Sequence, residues 1–79
     1  MRGVVTAYIL VKTHTGDADR IRKSIADIDG VVDVHIVAGD VDLITKVDVE
    51  TPAVVKSIAA DGIHAIDGVD TTQTYVSMD

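Results

Sequence analysis

The sequence contains no cysteine, tryptophan, phenylalanine or asparagine among its 79 residues. Without cysteine, the chain can form no disulfide, offer no thiol nucleophile and hold no thiolate-bound metal. Its only aromatic residues are Tyr8 and Tyr75, so its core must consist mainly of aliphatic side chains. No apolar run approaches the roughly 18 residues of a membrane-spanning helix, and the first residues do not form a signal peptide. We therefore expect a cytoplasmic protein without membrane contact.

Basic residues are also scarce. The chain has 7 lysines and arginines against 13 acids, 12 of them aspartate, and a formal net charge of -6. Such a surface repels nucleic-acid phosphates, which argues against direct nucleic-acid binding. At this length, residues 1–79 are expected to form one small domain whose stability depends partly on association with other copies.

Catalytic and metal-binding patterns are missing. The three histidines, His14, His35 and His64, occur on a predicted loop, strand and helix and lack the spacing of metal ligands. The serines lie in no nucleophile motif, and no glycine-rich phosphate loop is present. We therefore predict no catalytic residue, no metal and no cofactor.

Hydrophobic periodicity predicts four strands and two helices. The strands are expected at residues 4–12, 31–37, 41–47 and 69–76. The first helix is expected at residues 17–28, capped by Asp17 or Thr15, and the second begins after the Thr51–Pro52 pair. In the second strand, alternation predicts that Val32, Val34 and Ile36 point inward. In the second helix, the apolar stripe is Val55, Ile58, Ala59, Gly62 and Ile66, with Gly62 expected to lie close to the sheet.

An internal repeat indicates how these elements are arranged. The pattern Ile-x-x-Ile-Asp-Gly-Val occurs at residues 25–31 and 63–69, in each case where a helix gives way to a strand. Two such halves give the order βαββαβ and predict an α+β, ferredoxin-like fold with a four-stranded antiparallel sheet and both helices on one face. The other face is left bare. A second copy is expected to cover its apolar side chains, namely Tyr8, Leu10, Val37, Ile44 and Val76.

The segment joining the two halves carries two acids. Gly39 and Asp40 are expected to form a two-residue hairpin turn of type I′ or II′, with positive φ at the glycine, and Asp42 follows. One interpretation is a solvated corner with surface charge. The other is a binding site, in which Asp40 or Asp42 accepts the ammonium of an amino-acid-like ligand while turn N–H groups meet its carboxylate.

Several short motifs in order resemble a known domain. They are Gly30-Val31, the segment 37–43 followed by Lys46-Val47, the segment 66–69, and Thr72-x-Thr74. Together they resemble the RAM domain (regulation of amino-acid metabolism), the ligand-binding domain of the Lrp/AsnC family of transcription regulators. The family often has tyrosine where this chain has Val41.

The resemblance implies a dimeric α/β barrel, with dimers commonly assembling into rings and an amino-acid effector bound between dimers. By motif match, Gly39, Asp40 and Asp42 would be loop contacts to this effector, and Thr72 and Thr74 strand contacts. No helix-turn-helix DNA-binding domain is expected before the first strand. The resemblance thus implies an effector-binding and oligomerisation module that regulates transcription or amino-acid metabolism indirectly, alone or assembled with full-length relatives.

Three alternatives remain open from the sequence. An ACT-like amino-acid-binding domain has the same element order but binds ligand at the loop before the first helix, here residues 14–17. A dimeric ferredoxin-like barrel enzyme would have to use His35 and Tyr8. A purely structural oligomer would bind no ligand at all.

Overall fold

A computed structural model describes residues 4–14 and 16–79, so Thr15, one of the two expected helix caps, lies outside the described residues. The predicted order of elements is confirmed. The strands are β1 (Val5–Thr13), β2 (Val31–Ile36), β3 (Leu43–Val49) and β4 (Val69–Val76), and the helices are α1 (Ala18–Ala26) and α2 (Pro52–Ser57). The second helix continues as a π-helical turn, Ile58–Ile63.

The four strands form one antiparallel sheet in the order β2-β3-β1-β4. This order confirms the ferredoxin-like arrangement, in which each crossover helix lies over the same face. Strand β3 shows why that face is the core, because every second side chain from Leu43 to Val49 is buried and the intervening ones are only half-buried. The β1 residues that share this face, Ala7, Ile9 and Val11, are fully buried and pack with Ile21 and Ile25 of α1.

The repeat corresponds to two matching turns. In the first, the N–H of Val31 donates to the carbonyl of Ile28, and in the second, Val69 donates to Ile66, each at 3.2 Å. Gly30 and Gly68 have φ of 96° and 100°, a conformation that residues with a Cβ atom rarely adopt. The repeated Asp-Gly-Val therefore encodes a turn that ends each helical segment and begins a strand.

Strand β2 departs from the predicted alternation. Val31 pairs with Val47, but Asp33 pairs with Lys46, so the strand contains one extra residue and forms a bulge at Val32. Val32 is 50% exposed rather than inward. After the bulge, Val34 packs against the core as predicted. Ile36 is opposite the buried Leu43 and so lies on the same face as predicted, although at the strand's end it is 44% exposed.

The second helix also changes its period. It begins as predicted, with Thr51 Oγ1 accepting the N–H of Val54 at 3.4 Å. The N–H of His64 then bonds to the carbonyl of Ala59 at 3.0 Å, five residues back, which is the π-helical pattern. The wider turn brings Ile63 into the core, fully buried, in place of Gly62. Gly62 instead lies against Ile28 at the end of the first helical segment, not against the sheet as expected.

The sheet face without helices is partly apolar, as predicted, but one of its expected members, Val76, is wrong. Tyr8 and Tyr75 are paired on this face and are 40% and 56% exposed, and Leu10 is paired with Ile44 beside them. Val76 is opposite Ala7 and therefore faces the helices. Val37 follows β2 directly, and its backbone bond to Asp42 continues the alternation that places His35 and Ile44 on this face. Among the residues that the structure describes, no helix is long and apolar enough to cross a membrane.

Thr45 provides a test of core packing. Its side chain is fully buried on β3, and its Oγ1 has no hydrogen-bond partner within the described part of the chain. Because an unpaired buried hydroxyl costs free energy, we expect Thr45→Val to raise the free energy of unfolding by about 1 kcal/mol. Denaturant titration measures the change, and a loss of stability would show that the hydroxyl has a stabilising partner.

The glycines provide a second test. A Cβ on Gly30 would lie 2.9 Å from Val49 Cγ1 and 3.0 Å from Ile58 Cδ1, whereas nothing lies within 4 Å of one on Gly39. Together with the positive φ of Gly30, this predicts a loss of about 2 kcal/mol or more for Gly30→Ala. The matched Gly39→Ala variant should unfold at the same denaturant concentration as the wild type. Equal stability of the two variants would contradict this account.

Candidate functional site

The loop between β2 and β3 is wider than a two-residue hairpin. The N–H of Val37 donates to the carbonyl of Asp42 at 2.9 Å, which extends the ladder one pair beyond the Ile36–Leu43 pair. Residues 38–41 therefore make the turn. Within the described chain, positive φ occurs only at Gly30 and Gly68, so the expected type I′ or II′ turn with positive φ at Gly39 is wrong. A four-residue connection needs no left-handed residue at this position, because such loops are commonly built around a type I turn.

Asp42 anchors this loop to the neighbouring strand. Its Oδ2 accepts the backbone N–H of Thr13 at 2.8 Å and the Thr13 hydroxyl at 3.2 Å. Its own N–H donates to the carbonyl of Val11 at 2.9 Å. These three bonds hold the loop against the end of β1. Of the two loop acids, Asp42 is thus the one whose carboxylate already has partners inside the fold.

Asp40 is in the opposite situation. It is exposed, and its carboxylate makes no hydrogen bond or ion pair to any residue that the structure describes. It lines a cleft of about 340 Å³ on the bare face of the sheet, where β1 pairs with β4. The other lining residues are Leu10, Lys12, Val41, Thr71 and Gln73. We call this the Asp40 cleft.

The Asp40 cleft combines groups that suit a small zwitterion. Asp40 supplies a negative charge and Lys12 a positive one, so both ends of an α-amino acid have a counter-charge. Thr71 and Gln73 add hydrogen-bonding side chains, and Leu10 adds an apolar wall. Neighbouring Gly39 has open space around it and leaves the loop backbone accessible.

The predicted strand contacts lie elsewhere in the subunit. Thr72 and Thr74 are opposite Val11 and Ile9, whose side chains are buried under the helices, so both threonines are on the helical face. One chain therefore does not bring them to the same cleft as Asp40. They line a second groove of about 480 Å³ between β4 and the second helix, which we call the β4 groove.

Sequence reasoning missed Lys12, Thr71 and Gln73 as cleft residues. Each alternates with a residue whose side chain faces the helices, so a shift of one position changes the face. The pairing of Lys12 with Thr71 and of Leu10 with Gln73 determines which face of the sheet these side chains occupy. Strand pairing is a property of the tertiary structure. No local signal in the sequence distinguishes Thr71 from Thr72.

Comparison with known families identifies the domain. Residues 6–79 match the family described as the Lrp/AsnC ligand binding domain. The chain belongs to this family. The match confirms the RAM resemblance and favours it over the ACT-like alternative.

The relatives of this Lrp/AsnC domain include longer proteins. An uncharacterized HTH-type transcriptional regulator of Pyrococcus abyssi is 40% identical over 77 residues, a match covering 94% of this chain and 51% of the relative. A similar regulator of Pyrococcus horikoshii is 39% identical over 75 residues. The chain spans about half the length of the curated relatives it matches. These relatives are named as transcriptional regulators, not as enzymes.

Solved structures support the fold. A protein of Thermus thermophilus superposes with a TM-score of 0.90 at 24% identity, and the match covers 95% of this chain and 94% of that one. A transcriptional regulator of Neisseria meningitidis, solved as a complex with L-Met, gives a TM-score of 0.83 at 17% identity, over 95% of this chain and 50% of the other. At these identities the two structures establish the shared fold alone.

The different roles of the two loop acids can be tested by stability. Asp42→Ala removes the acceptor of the Thr13 N–H and should lower the free energy of unfolding by about 1–3 kcal/mol. Asp40→Ala removes the same charge from the same loop but no intramolecular bond, and should leave the melting temperature unchanged. Thermal unfolding of both variants measures the difference. Equal destabilisation would contradict the assignment of Asp42 as the anchor.

Proposed function

We propose that this Lrp/AsnC domain binds a free amino acid in the Asp40 cleft and that binding changes how copies of the domain assemble. The observation that carries the proposal is an exposed carboxylate without a partner in the described chain, lining one cleft with a lysine. Family membership supports an effector site of this kind. The Neisseria relative, whose structure contains L-Met, supports the choice of an amino acid.

Recognition would depend on both charges of the zwitterion. The ligand ammonium pairs with Asp40, and the ligand carboxylate meets Lys12 and the loop N–H groups around Gly39. The ligand side chain then lies toward Leu10 and Val41, which favours an amino acid with an apolar side chain. Asp42 contributes by holding the loop through Thr13, so its effect on binding is indirect.

Assembly would complete the site. The Asp40 cleft opens onto the bare sheet face, where Tyr8 and Tyr75 are paired and substantially exposed. Burying this face against a second copy removes aromatic surface from water and closes the cleft from above. A ligand enclosed by two copies binds the dimer more tightly than the monomer, and by linkage it favours association. The proposal extends to rings, in which several such dimers associate with one another.

Thr72 and Thr74 remain predicted effector contacts. Because they lie on the helical face, they could reach a ligand in the Asp40 cleft only from a neighbouring copy. A ring in which one dimer's loop meets the side of the next would provide this arrangement.

The response would be regulatory and not enzymatic. The matched regulators are about twice as long as this chain, so co-assembly with full-length relatives offers a route from effector binding to transcription. A net charge of -6 makes direct contact with nucleic acid unfavourable for the domain itself. We place this activity in the cytoplasm, where free amino acids and transcription regulators meet.

Calorimetric titration with each amino acid, combined with light scattering, tests the proposal. At least one amino acid should release or absorb heat saturably and change the scattering mass. Asp40→Asn and Lys12→Gln should each weaken binding about tenfold or more, since each removes one of the two counter-charges. Asp61→Asn is the matched control, because it removes one acid from the π-helical turn and should leave affinity unchanged.

Two results would contradict the proposal. One is the absence of binding for every amino acid in the wild-type protein. The other is binding that Asp40→Asn and Asp61→Asn weaken equally, because the effect would then reflect net charge and not the cleft. Binding without any change in scattering mass would retain the effector site but refute its coupling to assembly.

A further inference from the structure

We propose that a divalent transition-metal ion such as zinc binds between two copies of this chain, held by Asp33 and His35 of each copy. Both residues lie on β2, on the sheet face without helices. The inference rests on one part of the proposed function, the association of two copies through this face. It depends neither on Asp40 nor on a bound amino acid.

Asp33 and His35 form a pair of neighbouring ligands on one face of the sheet. They are two positions apart on β2 and lie opposite Lys46 and Ile44 of β3, which alternate with the buried residues of that strand. Alternate residues of a strand project to the same side, about 7 Å apart. From that separation, a short carboxylate and an imidazole converge on a single ion through bonds of about 2.0–2.2 Å.

Neither side chain is used inside the fold. Both are exposed, and neither makes a hydrogen bond or an ion pair to any residue that the structure describes. Lys46 is directly opposite Asp33 on the neighbouring strand, yet it forms no ion pair with it. Imidazole nitrogen and carboxylate oxygen are both common zinc ligands in proteins. The pair is therefore available to an ion from outside the fold.

One chain offers too few ligands for such an ion. Zinc sites that hold a structure together are almost always four-coordinate. Over the described residues of one chain, no three histidines or acids lie close enough together to hold a metal. The sequence-based prediction of no metal concerned the spacing of the histidines within one subunit. A second copy changes the number, because two aspartates and two histidines make four ligands.

The register of the sheet shows how two copies bring these side chains together. Two neighbouring rows cross the bare face from β2 to β4. The first row consists of Asp33, Lys46, Tyr8 and Tyr75, and the second of His35, Ile44, Leu10 and Gln73. A two-fold axis that runs between the rows, parallel to them, places each row of one copy over the other row of its mate. Asp33 of each copy then faces His35 of the other, and all four side chains surround the axis.

The same axis suits the rest of the interface. Tyr8 lies on Leu10 of the second copy, so aromatic surface is buried against an aliphatic side chain. Lys46 lies over Ile44 of the second copy, so two lysines do not meet. Packed sheets are about 10 Å apart, a spacing that two opposed layers of side chains with one ion between them fill. The two carboxylates neutralise the charge of a divalent ion, which lowers the cost of burying it.

Calorimetric titration of the intact chain with zinc, in the absence of any amino acid, tests the site. We expect saturable binding of one zinc ion per two chains. The melting temperature should rise with zinc concentration, because the ion binds the folded pair and not the unfolded chain. Cobalt(II) in place of zinc should give the intense visible absorption of tetrahedral coordination. Magnesium, which prefers six oxygen ligands, should not compete.

Variants assign the ligands. His35→Gln and Asp33→Asn should each lower zinc affinity about tenfold or more, since each removes two of the four ligands from the pair. His64→Gln and Asp61→Asn are the matched controls, because they remove an exposed imidazole and an exposed acid from the second helical segment. Both controls should bind zinc as the wild type does. All four side chains are exposed, so none of the replacements should unfold the chain.

Asp40→Asn separates this site from the amino-acid cleft. It should weaken amino-acid binding and leave the zinc titration unchanged. A wild-type protein that binds zinc at one ion per two chains but no amino acid would refute the effector proposal and support this one. The opposite result, amino-acid binding without zinc binding, would refute this inference alone.

Three outcomes would overturn the inference. The first is the absence of saturable zinc binding by the wild-type protein. The second is one zinc ion per chain, because a single copy would then complete the site. The third is binding that His35→Gln and His64→Gln weaken equally, which would indicate an adventitious ion only.

Discussion

The pairing of β1 with β3 at the centre of the sheet is the interaction on which the rest of this domain depends. From Val5 opposite Val49 to Val11 opposite Leu43, the two strands are in continuous register, and their alternate side chains supply nearly half of the buried core. Both helices pack on that core, and both outer strands pair with one of these two. Beyond the Val11–Leu43 end of this pairing, Asp42 bonds to Thr13 and Val11. These bonds fix the position of the loop that contains Asp40.

The two-sided character of the sheet explains why this small domain has a cleft on each face. Each strand presents successive residues to opposite faces, so β4 contributes Thr71 and Gln73 to the bare face and Thr72 and Thr74 to the helical face. On the bare face the loop supplies an acid next to a lysine. On the helical face the groove is lined mainly by apolar side chains together with Lys56, His64 and the two threonines. One threonine-rich strand therefore lines both clefts.

Much of the fold was predictable because its signals are local. The Ile-x-x-Ile-Asp-Gly-Val repeat was recognised from the sequence, and it corresponds to two turns with the same backbone bond and the same positive φ. Thr51 and Pro52 marked the start of α2 correctly for the same reason, since a cap acts over three residues. Two of the errors occur where the spacing changes by one residue. The bulge at Val32 and the π-helical turn each insert a residue that strict periods of 2 and 3.6 do not allow for.

By itself, the sequence determined the order of elements, the two repeated turns, the acidic charge and the family motif around Asp40 and Asp42. These properties depend on residue type and short-range spacing, which a single chain displays directly. Only the tertiary structure decided that Asp42 is an anchor, that Asp40 shares a cleft with Lys12, and that Thr72 and Thr74 face the helices. The physical reason is strand register. A shift of one residue moves a side chain to the other face of the sheet, and register is set by contacts between strands that lie far apart in the chain.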